Sequence, residues 1–112
     1  MTFSDLAELL CPEYNWVEAL RSRELDDSEA AVSASSPGRY AVKLGDDLIA
    51  EVFPEDLSTL RYFKGVPRQR HGAKDITSML NDVADLVSVA VIRARCEERW
   101  PRIKAMSEQI CR

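Results

Sequence analysis

The sequence predicts one α+β domain in which a small antiparallel sheet of two or three strands packs on helices. Apolar residues repeat at helical spacing within the first 25 residues and again from residue 76 onward, and a β-rich pair of runs flanks a glycine turn between residues 39 and 53. The length of 112 residues fits a single ordinary domain. We therefore expect residues 1–112 to close around one hydrophobic core.

Two short helices are expected at the N-terminus. Thr2 can cap the first helix, whose apolar stripe begins at Phe3 and Leu6. Asn15 and Glu18 have the spacing of a capping box, which predicts a second helix over residues 15–25.

The middle of the chain predicts a β-hairpin. Residues 39–44 and 48–53 are rich in β-branched and aromatic residues, and the turn between them starts with Gly45. Residues 29–35 combine alanine with alternating valine and serine, so they are compatible with either a helix or an edge strand. The number of strands is therefore two or three.

A short helix is predicted after the hairpin. Pro54 suits the first position of a helix, and Leu57, Leu60 and Phe63 share one helical face. Pro67 prevents the helix from continuing, so residues 66–74 are expected to form a polar, basic loop.

The last element is predicted to be the longest helix. Asp75 can cap it, and apolar residues keep helical spacing over residues 76–94. Residues 86–92 are apolar at every position but Ser88, so residues 83–94 are expected to form the centre of the core or an oligomer interface. A homodimer through residues 76–94 follows as a hypothesis. Pro101 predicts that the helix ends or is kinked near Trp100.

The composition of the chain argues against a membrane protein, an exported protein and a metal-dependent enzyme. No apolar run reaches the roughly 18 residues that a membrane span needs, and the first residues lack the basic start of a signal peptide, so we expect a soluble, cytoplasmic protein without a membrane partner. Three cysteines without a CxxC pair fit a reducing compartment. With a single histidine and no glycine-rich phosphate loop, we expect no catalytic residues, no metal and no cofactor.

The candidate contact surface is a basic segment, residues 61–74. It holds five basic residues, one histidine and no acidic residue, while residues 1–60 carry 4 basic and 13 acidic side chains. Such a segment can bind an acidic protein or phosphates, or it can be a solvated loop that balances the acidic half of the chain. The predicted partner-binding residues are Arg61, Tyr62, Lys64, Arg68, Arg70, His71 and Lys74, together with Trp100, because a tryptophan among arginines is typical of interface hot spots.

These features favour a small protein-binding module, such as an inhibitor, an adaptor or a dedicated chaperone, acting through charged surfaces. The first alternative is a nucleic-acid-binding protein that uses the basic segment, and the second is an enzyme of unidentified class. The order of elements occurs in many unrelated proteins, and no motif in the chain identifies a family.

Overall fold

A computed structural model describes the backbone of residues 1–25, 30–63 and 66–110, and the side chains of the last range as far as residue 97. The elements in chain order are α1 (Phe3–Leu10), α2 (Trp16–Ser22), β1 (Ala31–Ser36), β2 (Arg39–Leu44), β3 (Asp47–Phe53), a 3-10 turn (Pro54–Asp56), β4 (Ser58–Arg61), β5 (Gln69–Gly72) and α3 (Ile76–Ile110).

The five strands form one antiparallel sheet in the order β1-β2-β3-β4-β5. The predicted α+β class is confirmed, and so is the β2–β3 hairpin. The predicted number of two or three strands is wrong. Residues 31–35 of the ambiguous stretch belong to strand β1, and β4 and β5 were expected to be helix and loop.

The predicted helix after Pro54 is wrong because the helical turn stops after Asp56. Leu57 takes the left-handed conformation with φ of 51°, and the chain reverses there. Residues 58–61 then pair with β3, where Ser58 lies opposite Phe53 and Leu60 opposite Glu51. The spacing of Leu57 and Leu60 is compatible with a helix, but the free edge of β3 offers these residues a hydrogen-bonding partner that lies outside the local sequence.

The expected loop over residues 66–74 contains the edge strand β5. Leu60 of β4 lies opposite Arg70, and Thr59 lies opposite His71. Gln69 to Gly72 are polar and mostly exposed, as is common for edge strands. A strand of this kind has no apolar alternation that a sequence pattern could detect.

Both N-terminal helices begin at the predicted caps. The Thr2 hydroxyl accepts from the Asp5 amide at 3.2 Å, and the Thr2 amide donates to the Asp5 carboxylate at 3.0 Å. The Asn15 side chain accepts from the Glu18 amide at 3.2 Å and starts α2. Asp75 accepts from the Ser78 amide at 2.8 Å, which confirms it as the start of α3.

The core lies between one face of the sheet and the three helices. Trp16 is almost fully buried, and its indole N–H donates to the Cys11 carbonyl at 2.9 Å. The sheet, α1 and α3 supply further buried side chains, which include Leu6, Val42, Val52, Met79, Leu80, Val83 and Val87.

The helix α3 packs on the body only through its first half. Buried positions end at Val91, whereas residues 92–97 are all exposed. The radius of gyration is 16.2 Å, compared with about 13 Å for a compact domain of this length, because the far end of α3 extends beyond the body. The helix continues through Pro101 to Ile110, so its predicted end near Trp100 is wrong, while a kink at Pro101 stays a prediction.

The dimer interface expected at residues 76–94 is largely used within the chain. Met79, Leu80, Val83 and Val87 are buried in the core of the same molecule. Among the large apolar residues of this stretch, Val89 and Ile92 are exposed.

Candidate binding surface on the sheet

The sheet face opposite the core carries charged and aromatic side chains, and we call it the outer face. The register aligns Ala41, Glu51, Leu60 and Arg70 across β2 to β5. Side chains alternate along a strand, so positions two residues away share this face. Its members are Arg39, Ala41, Glu51, Phe53, Ser58, Leu60, Tyr62, Arg68 and Arg70.

A buried carboxylate lies at the centre of the outer face. The side chain of Glu51 is only 9% exposed, and it accepts hydrogen bonds from Arg39 Nε on one oxygen and from the Tyr62 hydroxyl on the other. The Arg39 guanidinium holds the pKa of the Glu51 carboxyl below its ordinary value, and the Tyr62 hydroxyl adds to this effect. Glu51 is therefore ionised at neutral pH, and it holds Arg39 and Tyr62 in place.

Aromatic rings fix the positions of three arginines. The guanidinium carbon of Arg39 lies 5.1 Å from the centre of the Phe53 ring, and that of Arg70 lies 4.6 Å from the same centre. Arg68 lies over Tyr62 at 5.2 Å. These distances are within the range of cation–π attraction. The rings therefore restrain the three cations before any ligand is bound.

Arg70 is further held by the turn before β4. It donates to the Ser58 hydroxyl at 3.0 and 3.2 Å and to the exposed Asp56 carboxylate at 3.3 Å. The Arg70 side chain nevertheless stays 55% exposed, and that of Arg39 stays 40% exposed. Glu51 pairs with Arg39 and Asp56 pairs with Arg70, so the three arginines and two carboxylates together carry one net positive charge.

The predicted contact residues divide between two sides of the sheet. Tyr62, Arg68 and Arg70 lie on the outer face, whereas Thr59 and His71 lie opposite each other on the side that faces the helices. Arg61 shares that side, and among the described residues its buried Nε has no hydrogen-bond partner. Of the other predicted residues, Lys74 is exposed just before α3, Lys64 lies outside the described residues, and Trp100 is in α3 beyond the described side chains.

Sequence reasoning missed the residues that organise this surface, Arg39, Glu51 and Phe53. The sequence does contain a signal for these three residues. Once the hairpin is placed with its turn at Gly45, Arg39 and Phe53 come at matching ends of the two strands, and Glu51 shares the face of Phe53. The positive charge of the basic segment limited the prediction to residues 61–74 and Trp100. Arg39, Glu51 and Phe53 instead come from the acidic first 60 residues.

A groove adjoins the outer face and shares Tyr62 and Arg68 with it. The groove encloses about 560 Å³ between the end of the β2–β3 hairpin, the chain before β5 and the exposed part of α3. Arg93 and the acidic residues Asp47 and Glu97 also line it. Its apolar lining residues are Leu44, Leu48, Ile49, Phe63, Val66, Val89, Ala90 and Ala94.

A second pocket, of about 580 Å³, lies between α2 and α3 and is lined by polar residues such as Asn15, Arg23, Asn81 and Asp85. Neither His71 nor a cysteine lines the groove, so the enzyme hypothesis gains no residues from it. Within the described ranges, no three potential metal ligands of the His, Cys, Asp or Glu type lie together, and none of the helices combines the length and hydropathy that crossing a bilayer requires. Comparison of the chain with family models, with curated proteins and with solved structures found no match.

Proposed function

We propose that this protein is a binding module for another protein and that it holds an acidic segment of that partner on the outer face. The observation that carries the proposal is the set of three arginines, Arg39, Arg68 and Arg70, restrained by Phe53, Tyr62 and Glu51. Guanidinium groups present parallel N–H donors that match a carboxylate. Because these side chains are already ordered, binding costs less conformational entropy than it would with free arginines.

The adjoining groove indicates that the partner segment also carries apolar side chains. Val66 and Val89 are 45% and 49% exposed and border the groove, so they gain from burial by an apolar side chain. Since Tyr62 and Arg68 belong to both surfaces, a single segment can reach both. The partner segment should therefore carry carboxylates next to one or two large apolar residues.

A nucleic acid is the second candidate, because arginines also bind phosphates. The aromatic rings argue against it. Two guanidinium groups already lie over Phe53 and one lies over Tyr62, so these rings are not free to stack on bases. The net charge of −4 also opposes the approach of a polyanion.

A cytoplasmic location is part of the same proposal. It is supported by the odd number of cysteines and by the free thiols of Cys11 and Cys96. A role as inhibitor, adaptor or dedicated chaperone is compatible with this surface, and the identity of the partner would decide among the three.

The test is selection from a random peptide library displayed on phage, followed by binding measurements with the selected peptides. We expect the peptides to be rich in Asp and Glu with a large apolar residue nearby. The double charge reversal Arg68→Glu with Arg70→Glu should abolish binding, and Val66→Asp should weaken it. Arg21→Glu is the matched control, since Arg21 is exposed on α2, away from the sheet, and it should bind like the original protein.

Two results would contradict the proposal. One is full binding by the double reversal, which would place the contact elsewhere. The other is preferential binding of a single-stranded oligonucleotide with affinity that falls steeply as salt is added, which would establish the nucleic-acid alternative.

A further inference from the structure

The last strand of the sheet, β5, has a free edge. It lies at the end of the strand order, so in the described part of the chain it pairs with β4 alone. The Ala73 amide donates to the Leu57 carbonyl at 2.7 Å, in register with the ladder between β4 and β5. Bonded and non-bonded residue pairs alternate along an antiparallel ladder. Counting back along the strand, His71 therefore also bonds to β4, whereas Arg70 and Gly72 direct their N–H and C=O groups away from it.

The side chains of β5 leave this edge accessible. The Arg70 guanidinium is turned back across the sheet, because it donates to Ser58 of β4 and lies 4.6 Å from the centre of the Phe53 ring of β3. Gly72 is exposed, and apart from its two chain neighbours no described atom lies within 4 Å of the place that a Cβ would take. Another extended segment can therefore approach the backbone of both residues.

The opposite edge of the sheet, at β1, is different. The Val32 amide donates to the Met1 carbonyl at 2.8 Å, and Thr2 forms a bridge with Ala31, so the start of the chain covers part of this edge. The side chains of β1 are alanine, valine and serine, without a charge among them. Of the two edges, β5 is therefore the one that combines free backbone groups with basic side chains.

We infer that the acidic partner segment binds as an extended strand that pairs with the free edge of β5. This mode of binding rests on the proposed function and adds how the segment is held. When a strand is added to a sheet edge, main-chain hydrogen bonds give affinity and alternate side chains give specificity. Arg68 and Arg70 are two residues apart on the outer face. The carboxylates of the partner should therefore come at alternate positions along its strand.

Charge decides between an acidic partner and a second copy of this chain. A second copy that paired its own β5 here would bring its Arg68 and Arg70 next to the same two residues, and like charges on neighbouring strands destabilise a sheet. A strand with carboxylates places opposite charges there instead. Val66 comes two residues before Arg68 and borders the groove. The apolar residue of the partner should therefore lie beyond its carboxylates, at the end that passes Val66.

The first experiment follows amide hydrogen exchange by NMR in the original protein, with and without the tightest acidic peptide from the display selection. The Arg70 and Gly72 amides should exchange rapidly in the free protein and at least about tenfold more slowly with saturating peptide. The His71 amide on the same strand is the matched control, because it is bonded to β4 in both states and should already exchange slowly.

Two exchange results would overturn strand pairing by the partner. One is unchanged exchange at Arg70 and Gly72 when the peptide is saturating. The other is slow exchange of these amides in the concentrated free protein that becomes rapid on dilution, which would show that a second copy occupies the edge.

A second experiment compares two substitutions at one position. Gly72→Pro removes the outward N–H, and proline is tolerated on an edge strand where this group faces solvent. Gly72→Ala keeps the N–H and is the matched control, since there is open space for its Cβ. Gly72→Pro should bind the peptide about 2- to 10-fold more weakly than Gly72→Ala, which corresponds to one neutral hydrogen bond. Equal affinities of two folded variants would contradict the inference, and amide exchange in the original protein decides if Gly72→Pro does not fold.

One combination of results separates this mode of binding from the proposed function. If Arg68→Glu with Arg70→Glu abolishes peptide binding but the Arg70 and Gly72 amides of the original protein show no change, the outer face binds the peptide without strand pairing. The proposed function then stands and the paired strand is refuted. If the selection yields no acidic peptide, both are refuted.

Discussion

The exchange Glu51→Gln tests the organising role of the buried carboxylate. Glutamine keeps an oxygen that can accept from the Tyr62 hydroxyl but removes the charge that pairs with Arg39. A hydrogen bond to a charged group contributes about 1.5–3 kcal/mol and a neutral one about 0.5–1.5 kcal/mol. Because the Arg39 side chain is 40% exposed, solvent screens part of the pair. We expect the free energy of unfolding to fall by about 1 kcal/mol at neutral pH.

The same exchange predicts a pH dependence. The pKa of Glu51 is depressed in the folded state, so its ionised carboxylate stabilises the protein above the unfolded-state pKa. This contribution begins to fall below about pH 5 and is lost once the pH has passed through the folded-state pKa, which lies below the ordinary value of about 4.3. The stability difference between Glu51→Gln and the original protein should therefore shrink toward zero in acid.

Urea unfolding followed by circular dichroism at pH 7 and in acid measures both effects at one protein concentration. Glu55→Gln is the control, since Glu55 is an exposed carboxylate in the turn before β4 and should change stability by less than about 0.5 kcal/mol. An unchanged stability of Glu51→Gln at pH 7, or an equal loss at both pH values, would refute the role assigned to the carboxylate.

Three further outcomes are expected. Burial and the neighbouring carboxylate raise the pKa of Tyr62, so Tyr62→Phe should remove a step above the ordinary tyrosine pKa from an ultraviolet titration. Leu80→Ala should cost about 2–5 kcal/mol in urea unfolding because Leu80 is fully buried, whereas Leu9→Ala should change little because Leu9 is 62% exposed. Gly45→Ala should cost about 1 kcal/mol because Gly45 has φ of 62° with open space around it, and Gly72→Ala, also in open space but without a positive φ, should be nearly neutral in the same assay.

The candidate site was only partly accessible from the sequence. The basic segment included Tyr62, Arg68 and Arg70 among its residues, and the structure places these three on one face. It could not separate them from Arg61 and His71, because that separation depends on residues 69–72 being a strand. Nor did it include Glu51, whose hydrogen-bond partners Arg39 and Tyr62 lie on β2 and directly after β4.

The sequence by itself determined the features that depend on near neighbours. Thr2, Asn15 and Asp75 each bond to a backbone amide three residues away, and Gly45 supplies its positive φ without help from the rest of the chain. These signals are complete within a few residues, so both helix starts, the hairpin and the start of α3 could be predicted.

Only the tertiary structure decided the second half of the sheet. Leu57, Leu60 and Phe63 have helical spacing and residues 69–72 have no apolar pattern. Residues 58–61 and 69–72 are nevertheless strands, because the edge of β3, and then of β4, supplies their hydrogen bonds. A strand gains its backbone partners from another part of the chain, whereas a helix finds them within one turn. For that reason local patterns located the helix starts of this protein but predicted too few strands. The outer face, which extends across those strands, could be recognised only from the tertiary structure.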